Sequence, residues 1–113
     1  MIKILHNPKC KKSREGLAYL KTKTDNFEIQ KYLNTALAPE ELDNILKYLK
    51  LKPIDIVRTQ EDYYKKELKG KTLSYSEWLM ELTSHPKLIK RPIVISGSDA
   101  VIADPPEEID KLF

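Results

Sequence analysis

The lone cysteine of the chain stands within a strongly basic segment near the N-terminus. Cys10 has four cationic neighbours in the run His6-Asn7-Pro8-Lys9-Cys10-Lys11-Lys12-Ser13-Arg14. The thiolate is the reactive form of cysteine, and nearby cations favour it over the thiol. A free cysteine is often an inert core residue, but these basic neighbours would make a poor apolar pocket. The segment therefore predicts a reactive, nucleophilic thiol.

The elements on either side of this segment would place the sulfur at a helix N-terminus. The apolar run from Ile2 to Leu5 predicts a short strand, and the stretch from about Ser13 to Lys23 predicts a helix. The first amides of a helix lack partners within the helix, and the helix dipole adds partial positive charge there. Both effects favour a thiolate. Ser13 either hydrogen-bonds this thiolate across the first turn or caps the helix, and the sequence leaves both roles open.

The two ends of the chain predict a small sheet. A second strand is expected over Phe27 to Tyr32, where apolar and polar residues alternate. Its helical connection to the first strand favours parallel pairing. Two further strands, Ile93 to Ile95 and Ala100 to Ala103, flank a hairpin turn at Gly97-Ser98-Asp99. A last short helix follows Pro105-Pro106.

Between these two halves lies a segment of predicted helices. They begin at Pro39, at Glu61 and at Ser74, and the last of them ends before Pro86. We therefore predict an α/β fold with a mixed four-stranded sheet and flanking helices. The expected organisation is one domain over residues 1–113, with a helical insert at about residues 38–85.

Size, composition and charge exclude several classes of protein. Of the 113 residues, 41% are hydrophobic and 33% charged, as in a globular domain. No apolar stretch is long enough to span a membrane, and the N-terminus does not resemble a signal peptide. A net charge of +3, spread along the chain, gives no reason to expect nucleic-acid binding. A lone cysteine suits a reducing compartment, so we expect a cytoplasmic protein.

Few other residues suggest chemistry on their own. One cysteine and two separated histidines form no metal-ligand cluster, so no metal is expected. Arg58 and Arg91 are single arginines far apart in the sequence, and each alone would be interpreted as a solvated charge. His85 precedes Pro86 at a predicted helix end, where a capping role is expected.

The predicted order of elements resembles the thioredoxin fold. In that fold a proline just before the third strand is held in the cis form beside the active-site thiol. Pro92 occupies the matching place in this chain. Cis peptide bonds are rare away from proline, so the resemblance implies that Pro92 fills this role.

A more specific resemblance rests on two motifs. His6-Asn7-Pro8-x-Cys10-x-x-Ser13-Arg14, followed late in the chain by Arg91-Pro92-Ile93-Val94, is similar to the pattern of the glutaredoxin-coupled arsenate reductases and their Spx-type relatives. The likeness covers nearly the whole chain, including the helical insert. It implies that Cys10 attacks arsenate and that Arg58 and Arg91 hold this small oxyanion. It also implies that His6 influences the ionisation of the thiol.

The resemblance further implies the reaction partners. Glutathione, as a co-substrate, would reduce the thiol-arsenate adduct, glutaredoxin would take over the mixed disulfide, and no cofactor would stay bound. A third arginine of the family normally lies after the final strand, but Asp104 stands there in this chain. At about 5 Å and an effective dielectric of about 20, one unit of charge is worth roughly 3 kcal/mol. Unless Asp104 points away or Lys11 or Lys12 compensates, it disfavours a doubly charged anion such as arsenate.

Two other functions stay open. The Spx-type relatives are transcription regulators that bind RNA polymerase, and many carry a second cysteine three residues after the first as a redox switch. That position is Ser13 here, so such a disulfide cannot form. A degenerate family member would instead keep the reactive thiol and act on another electrophile or disulfide.

Overall fold

A computed structural model describes residues 2–34 and 37–113 of the chain. The chain divides into two compact units, one formed by Met1–Thr35 with Arg91–Phe113 and the other by Ala36–Lys90. Among the described residues, none of the helices combines the length and the apolar character that crossing a bilayer requires. Cys10 belongs to the first unit.

A mixed four-stranded sheet forms the base of the first unit. Its strands are β1 (Ile2–Leu5), β2 (Phe27–Gln30), β3 (Ile93–Ser96) and β4 (Asp99–Ile102). They lie in the order β2-β1-β3-β4. The β1–β2 pair is parallel and the other two pairs are antiparallel. The predicted mixed sheet is therefore confirmed, although β2 ends two residues before its expected end at Tyr32.

Helix α1 (Lys11–Lys23) connects the two parallel strands. It begins two residues before its expected start at Ser13, because Cys10 adopts an extended backbone with φ of −94° and ψ of 126° and is itself the N-cap residue. The Arg14 amide donates to the Cys10 carbonyl at 3.0 Å and so closes the first turn. Cys10 thus lies at the helix N-terminus, as the sequence predicted.

One apolar cluster joins the sheet to its helices. Ile4 and Val94 are register partners in β1 and β3, so their side chains lie on the same face of the sheet. Both are fully buried with Leu20 of α1 and with Ile109 of the C-terminal 3₁₀ helix Pro106–Leu112. Burial of one large aliphatic side chain stabilises a fold by about 1.5–3 kcal/mol. This cluster therefore fixes α1 on the sheet and, with it, the position of Cys10.

The hairpin between β3 and β4 is tighter than the sequence suggested. Ser96 pairs with Asp99, so the loop consists of Gly97 and Ser98 alone. Gly97 has a φ of 61°. A two-residue hairpin loop needs a positive φ at its first position, which glycine adopts without steric cost. The predicted turn is confirmed, but Asp99 belongs to the strand.

Helix α1 approaches the sheet most closely at Gly16. A Cβ atom added to this buried glycine would overlap the Cγ atom of Pro92 and would touch the Cβ of Ala103 at 3.5 Å. The Arg91–Pro92 peptide bond that precedes this ring is cis. Gly16 is therefore needed for close packing and not for its backbone freedom.

Replacing Gly16 with alanine is expected to destabilise the protein. Alanine favours a helix over glycine by about 1 kcal/mol, but overpacking against a ring typically costs about 1–3 kcal/mol. The clash should dominate, so we expect the free energy of unfolding to fall by about 1 kcal/mol in urea denaturation. Ala18→Gly, at an exposed position of the same helix, measures the propensity contribution. A stabilised Gly16→Ala variant would contradict the close contact.

Three strands bring their chemistry-bearing ends to one edge of the sheet. Leu5, the last residue of β1, pairs with Gln30, the last residue of β2, and with Ile93, the first residue of β3. The His6 amide donates to the Gln30 carbonyl at 2.9 Å and extends the parallel pairing beyond the strands. Three segments therefore meet at this edge of the sheet. They are the segments that follow β1 and β2 and the segment that precedes β3.

The second unit is helical, as predicted. It contains α2 (Pro39–Leu49), α3 (Tyr75–Ser84) and short 3₁₀ helices at Pro53–Ile56 and Pro86–Leu88. The predicted helix over Glu61 to Leu68 is instead a π-helical turn at Tyr64–Leu68. Helix α3 begins with a capping box in which Ser74 and Glu77 each accept the other's backbone amide, at 3.1 and 2.9 Å.

Candidate active site

The loop before Cys10 is held by the side chain and backbone of Asn7. The Oδ1 atom of Asn7 accepts a hydrogen bond from the Lys9 amide at 3.0 Å, and its carbonyl accepts one from the Cys10 amide, also at 3.0 Å. The Asn7 amide donates to the hydroxyl oxygen of Ser13 at 2.9 Å. Asn7 and Ser13 are both buried. The loop and the first turn of α1 are therefore fastened together around the cysteine.

The structure excludes one of the two roles considered for the Ser13 hydroxyl, and the other, a hydrogen bond to the thiolate, stays a prediction. The capping role is wrong, because Cys10 and not Ser13 is the N-cap residue of α1. The hydroxyl instead accepts from the Asn7 amide and braces the loop. It is the backbone amide of Ser13 that acts on the sulfur.

The Cys10 thiol is half-buried and its ionisation is favoured. Burial raises its pKa, but hydrogen bonding from the Ser13 amide, from the Arg91 guanidinium and from the Lys12 amide outweighs burial. The net pKa lies below the ordinary value of a thiol. Although the thiol makes no regular capping bond, the amides of Lys12 and Ser13 at the second and third positions of the helix are the donors that an N-cap anion would use. The site is therefore suited to hold a thiolate.

Arg91 supplies the side-chain cation of this site. It is only 9% exposed, and its guanidinium interacts both with the Cys10 sulfur and with the hydroxyl oxygen of Tyr32. Burial lowers the pKa of Arg91, but the Tyr32 oxygen and the sulfur more than compensate, so the net shift is upward. A buried guanidinium next to a thiolate is also a group that can hold a bound oxyanion.

Three of the four basic residues near Cys10 in sequence have partners other than the sulfur. Lys11 lies 3.9 Å from Glu15, Lys12 forms an ion pair with Asp104, and Arg14 donates to the Pro8 carbonyl at 3.0 Å. All three basic side chains are exposed. Crowding of the sulfur by their charges, which the sequence suggested, is therefore not what lowers the pKa; Arg91 is the side chain that does so.

His6 is a buried residue of the loop that leads from β1 to Cys10. Only 4% of its surface is exposed, and its Nδ1 atom has no hydrogen-bond partner among the described residues. Burial lowers the pKa of His6, and the charge of Lys31 lowers it further, while a hydrogen bond to the Ser13 backbone acts in the opposite direction. His6 is therefore neutral at neutral pH, and its influence on the ionisation of the thiol stays a prediction.

Comparison with known proteins places this site in a family. A family model described as the ArsC family matches residues 5–112. The chain belongs to the ArsC family. An arsenate reductase of Haemophilus influenzae is 40% identical over 108 residues, which are 94% of this chain and 93% of the relative. The thiol motif and the Arg91-Pro92 motif thus lie within the part that defines the family.

Solved structures of ArsC-family proteins share the fold. An arsenate reductase from Vibrio cholerae aligns with a TM-score of 0.92 at 37% identity, over 99% of this chain and 97% of the other. The predicted thioredoxin-like α/β fold is confirmed. The chain is also similar to a global transcriptional regulator, Spx of Streptococcus mutans, with 26% identity over 96% of this chain and 80% of the regulator. The chain is therefore similar to proteins of both kinds named from the sequence.

Arg58, the other arginine implied by the family resemblance, belongs to the second unit. Its Nε and Nη2 atoms each lie 3.3 Å from a carboxylate oxygen of Glu61. Its backbone amide donates to the Leu88 carbonyl at 2.7 Å, next to the bridge between Val57 and Ile89. Arg58 is thus a partly buried arginine paired with a carboxylate. A role in oxyanion binding stays a prediction for this ArsC-family protein.

Lys12 compensates the charge of Asp104, which is one of the possibilities that the sequence left open. Its Oδ2 atom lies 2.8 Å from Nζ of Lys12, with 42% of the Asp104 side chain and 57% of the Lys12 side chain exposed. The Ala103 amide beside it donates to the Pro92 carbonyl at 2.9 Å. The carboxylate is therefore neutralised by Lys12, although in the family pattern this position carries a positive charge.

Sequence reasoning missed two residues of this site. Tyr32 was interpreted as the end of a strand, yet it is fully buried and interacts with Arg91. Its position just after a strand parallel to β1 was the signal, since the carboxyl ends of parallel strands share one edge. Gly16 gave no signal in a single sequence. The described residues contain no group of three or more acidic, histidine or cysteine side chains suited to a metal.

Proposed function

We propose that this protein is a thiol oxidoreductase of the arsenate-reductase type, with Cys10 as its nucleophile. The observation that carries the proposal is the position of the sulfur at the N-cap of α1, where two backbone amides and the Arg91 guanidinium act on it. The similarity to a protein named arsenate reductase over 94% of the chain supports a tetrahedral oxyanion as the substrate.

The first step is attack of the Cys10 thiolate on arsenic(V). A sulfur–arsenic bond forms, one arsenic–oxygen bond breaks, and the departing oxygen leaves as water after taking up protons. Arg91 fits the anionic product, because a guanidinium fork can donate two parallel hydrogen bonds to a tetrahedral oxyanion. The amides at the helix N-terminus contribute fixed dipoles to the same site. Arg58 is proposed as a second ligand of the oxyanion.

The second step is reduction by glutathione. Its thiolate attacks the Cys10 sulfur, the sulfur–arsenic bond breaks, and the electron pair stays on arsenic, which leaves as arsenite. The product is a mixed disulfide between Cys10 and glutathione. A glutaredoxin thiolate then attacks the glutathione sulfur and releases the Cys10 thiolate. Two thiols thus supply the two electrons that arsenic gains, and Cys10 returns to its starting state.

The direct test combines arsenate, glutathione and glutaredoxin with the purified protein and measures arsenite. Sustained release is expected only when both thiol components are present, because glutathione alone supports a single turnover that stops at the mixed disulfide. With glutaredoxin left out, intact-mass spectrometry should find one glutathione attached to the protein, and tryptic mapping should place it on Cys10. Absence of arsenite together with absence of the arsenate-dependent adduct would reject the proposal.

The negative charge of Asp104 is expected to lower the affinity of the site for arsenate. Replacing it with asparagine removes one negative charge and frees Lys12, so the local charge becomes more positive by one unit. Because the pair is substantially exposed, solvent reduces the effect well below that of a buried charge. We expect the KM for arsenate to fall by about threefold to tenfold, with kcat nearly unchanged.

The matched control for Asp104→Asn is Asp99→Asn. Asp99 is exposed at the start of β4 in the same unit, and its replacement changes the net charge equally. Its KM for arsenate should stay at the wild-type value. Equal KM values for wild type and Asp104→Asn would show that the Lys12–Asp104 pair does not influence the anion site.

A second candidate function is suggested by the similarity to Spx. The alignment with the Streptococcus mutans regulator covers 96% of this chain, so a binding protein for RNA polymerase is the alternative. Pull-down with purified polymerase subunits distinguishes the two functions. Retention of a subunit by wild type and by Cys10→Ser alike, with no arsenite release, would favour the regulator. A redox switch of the two-cysteine kind is excluded by Ser13.

A further inference from the structure

Tyr32 is a polar side chain in a fully buried place. None of its surface is exposed, although the phenol carries a hydroxyl that loses hydration on burial. It lies in a turn just after β2, and it is not a member of the apolar cluster around Ile4 and Leu20. A tyrosine in such a place normally has a polar partner for its hydroxyl.

The sheet topology brings this partner to Tyr32. Gln30 at the end of β2, Leu5 at the end of β1 and Ile93 at the start of β3 are register partners on adjacent strands. Tyr32 follows Gln30 by two residues, and Arg91 precedes Ile93 by two. Both residues therefore leave the same edge of the sheet, on either side of the loop that leads from β1 to the thiol.

The guanidinium of Arg91 interacts with two groups. One is the hydroxyl oxygen of Tyr32 and the other is the sulfur of Cys10. A guanidinium is planar and offers five N–H donors in a fixed fork. Interaction with two groups restricts the rotation of such a fork more than interaction with one, and Arg91, at 9% exposure, has little access to water as a substitute partner.

We propose that Tyr32 is a positioning residue that fixes the Arg91 guanidinium against the sulfur of Cys10. This inference rests on the proposed function in so far as Cys10 is the nucleophile. The hydroxyl, and not the ring, carries the role. If Tyr32 contributed only by packing of its ring, removal of the hydroxyl alone would leave the ionisation of Cys10 unchanged.

The test measures the rate of Cys10 alkylation by iodoacetamide against pH in Tyr32→Phe. The ring is retained, and the hydroxyl oxygen that interacts with Arg91 is lost. We expect the midpoint of the profile to move to higher pH, with alkylation about threefold slower at any pH below the wild-type midpoint. The effect is smaller than for loss of a hydrogen bond to the thiolate itself, because Tyr32 acts on the thiolate through Arg91. Tyr19→Phe is the matched control. The Tyr19 hydroxyl donates to Asp110 at 2.8 Å and not to a group named at the thiol site, so the profile of this variant should match wild type.

A double-mutant cycle locates the effect. In an Arg91→Met background, Tyr32→Phe should cause no further shift, because the group that it positions is absent. If Tyr32→Phe does not fold, site-specific 3-fluorotyrosine at position 32 replaces it. The ring is kept, and at a pH where its phenol is neutral its oxygen is a weaker acceptor, so alkylation there should be slowed less than in Tyr32→Phe. An unchanged midpoint, or a shift that persists without Arg91, would overturn the inference. The readout needs no arsenate, so failure of the proposed reaction would leave this result intact.

Discussion

Replacing Cys10 with serine is expected to abolish arsenite release in the presence of arsenate, glutathione and glutaredoxin. The hydroxyl of serine is not ionised near neutral pH, and the amides of Lys12 and Ser13 together with Arg91 cannot make it so. Serine also cannot form the mixed disulfide on which reduction depends. From the loss that follows removal of a nucleophile in other enzymes, we expect a decrease of about 10⁴-fold or more in kcat.

The substitution is nearly isosteric, which makes its interpretation direct. Cys10 is half-buried, and its carbonyl, not its side chain, accepts the first hydrogen bond of α1. Circular dichroism and urea denaturation should therefore resemble those of wild type. Substantial arsenite release from a folded Cys10→Ser protein would show that another group attacks the substrate and would remove Cys10 from the mechanism.

The position of the thiol could be predicted from sequence because local signals determine it. The apolar run Ile2 to Leu5, the turn at Pro8 and the helix-favouring segment after Cys10 act on neighbouring residues, and each agrees with the fold. The exact start of α1 was wrong by two residues. The reason is that the extended backbone of Cys10 makes it the N-cap residue, while the Ser13 hydroxyl accepts from the Asn7 amide and does not cap the helix.

The surroundings of the thiol could not be predicted in the same way. Lys11, Lys12 and Arg14 are close to Cys10 in sequence, yet exposure lets them turn to other partners. Arg91 is 81 positions away and acts on the sulfur because β3 runs antiparallel to β1. An exposed side chain can adopt several conformations, so its neighbours in sequence do not determine its partners. A buried side chain is held in the position that the sheet gives it. The family resemblance supplied Arg91, and Tyr32 required the structure.

Replacing Arg91 with methionine is expected to make the thiol behave more like an ordinary cysteine. Methionine keeps an unbranched apolar stem but removes both the hydrogen bond and the charge that lower the pKa of Cys10, while the effect of burial, which raises it, remains. The wild-type rate of alkylation should rise as the pH passes the lowered pKa and then level off. In Arg91→Met the rise should come at higher pH, so at a pH below the wild-type midpoint alkylation should be about 10- to 100-fold slower. Above the pKa of an ordinary thiol the two profiles should converge.

Arg14→Met separates this effect from a general loss of positive charge. Arg14 lies four residues from Cys10, is exposed and donates to the Pro8 carbonyl, so its removal changes the net charge equally and should leave the profile close to that of wild type. Because solvent screens an exposed cation and not a buried one, only the loss of Arg91 should also raise the KM for arsenate. Equal shifts in both variants would mean that the thiolate is stabilised by the overall basic character of the segment. A shift in Arg91→Met alone would assign ionisation of the thiol and binding of the oxyanion to the same guanidinium.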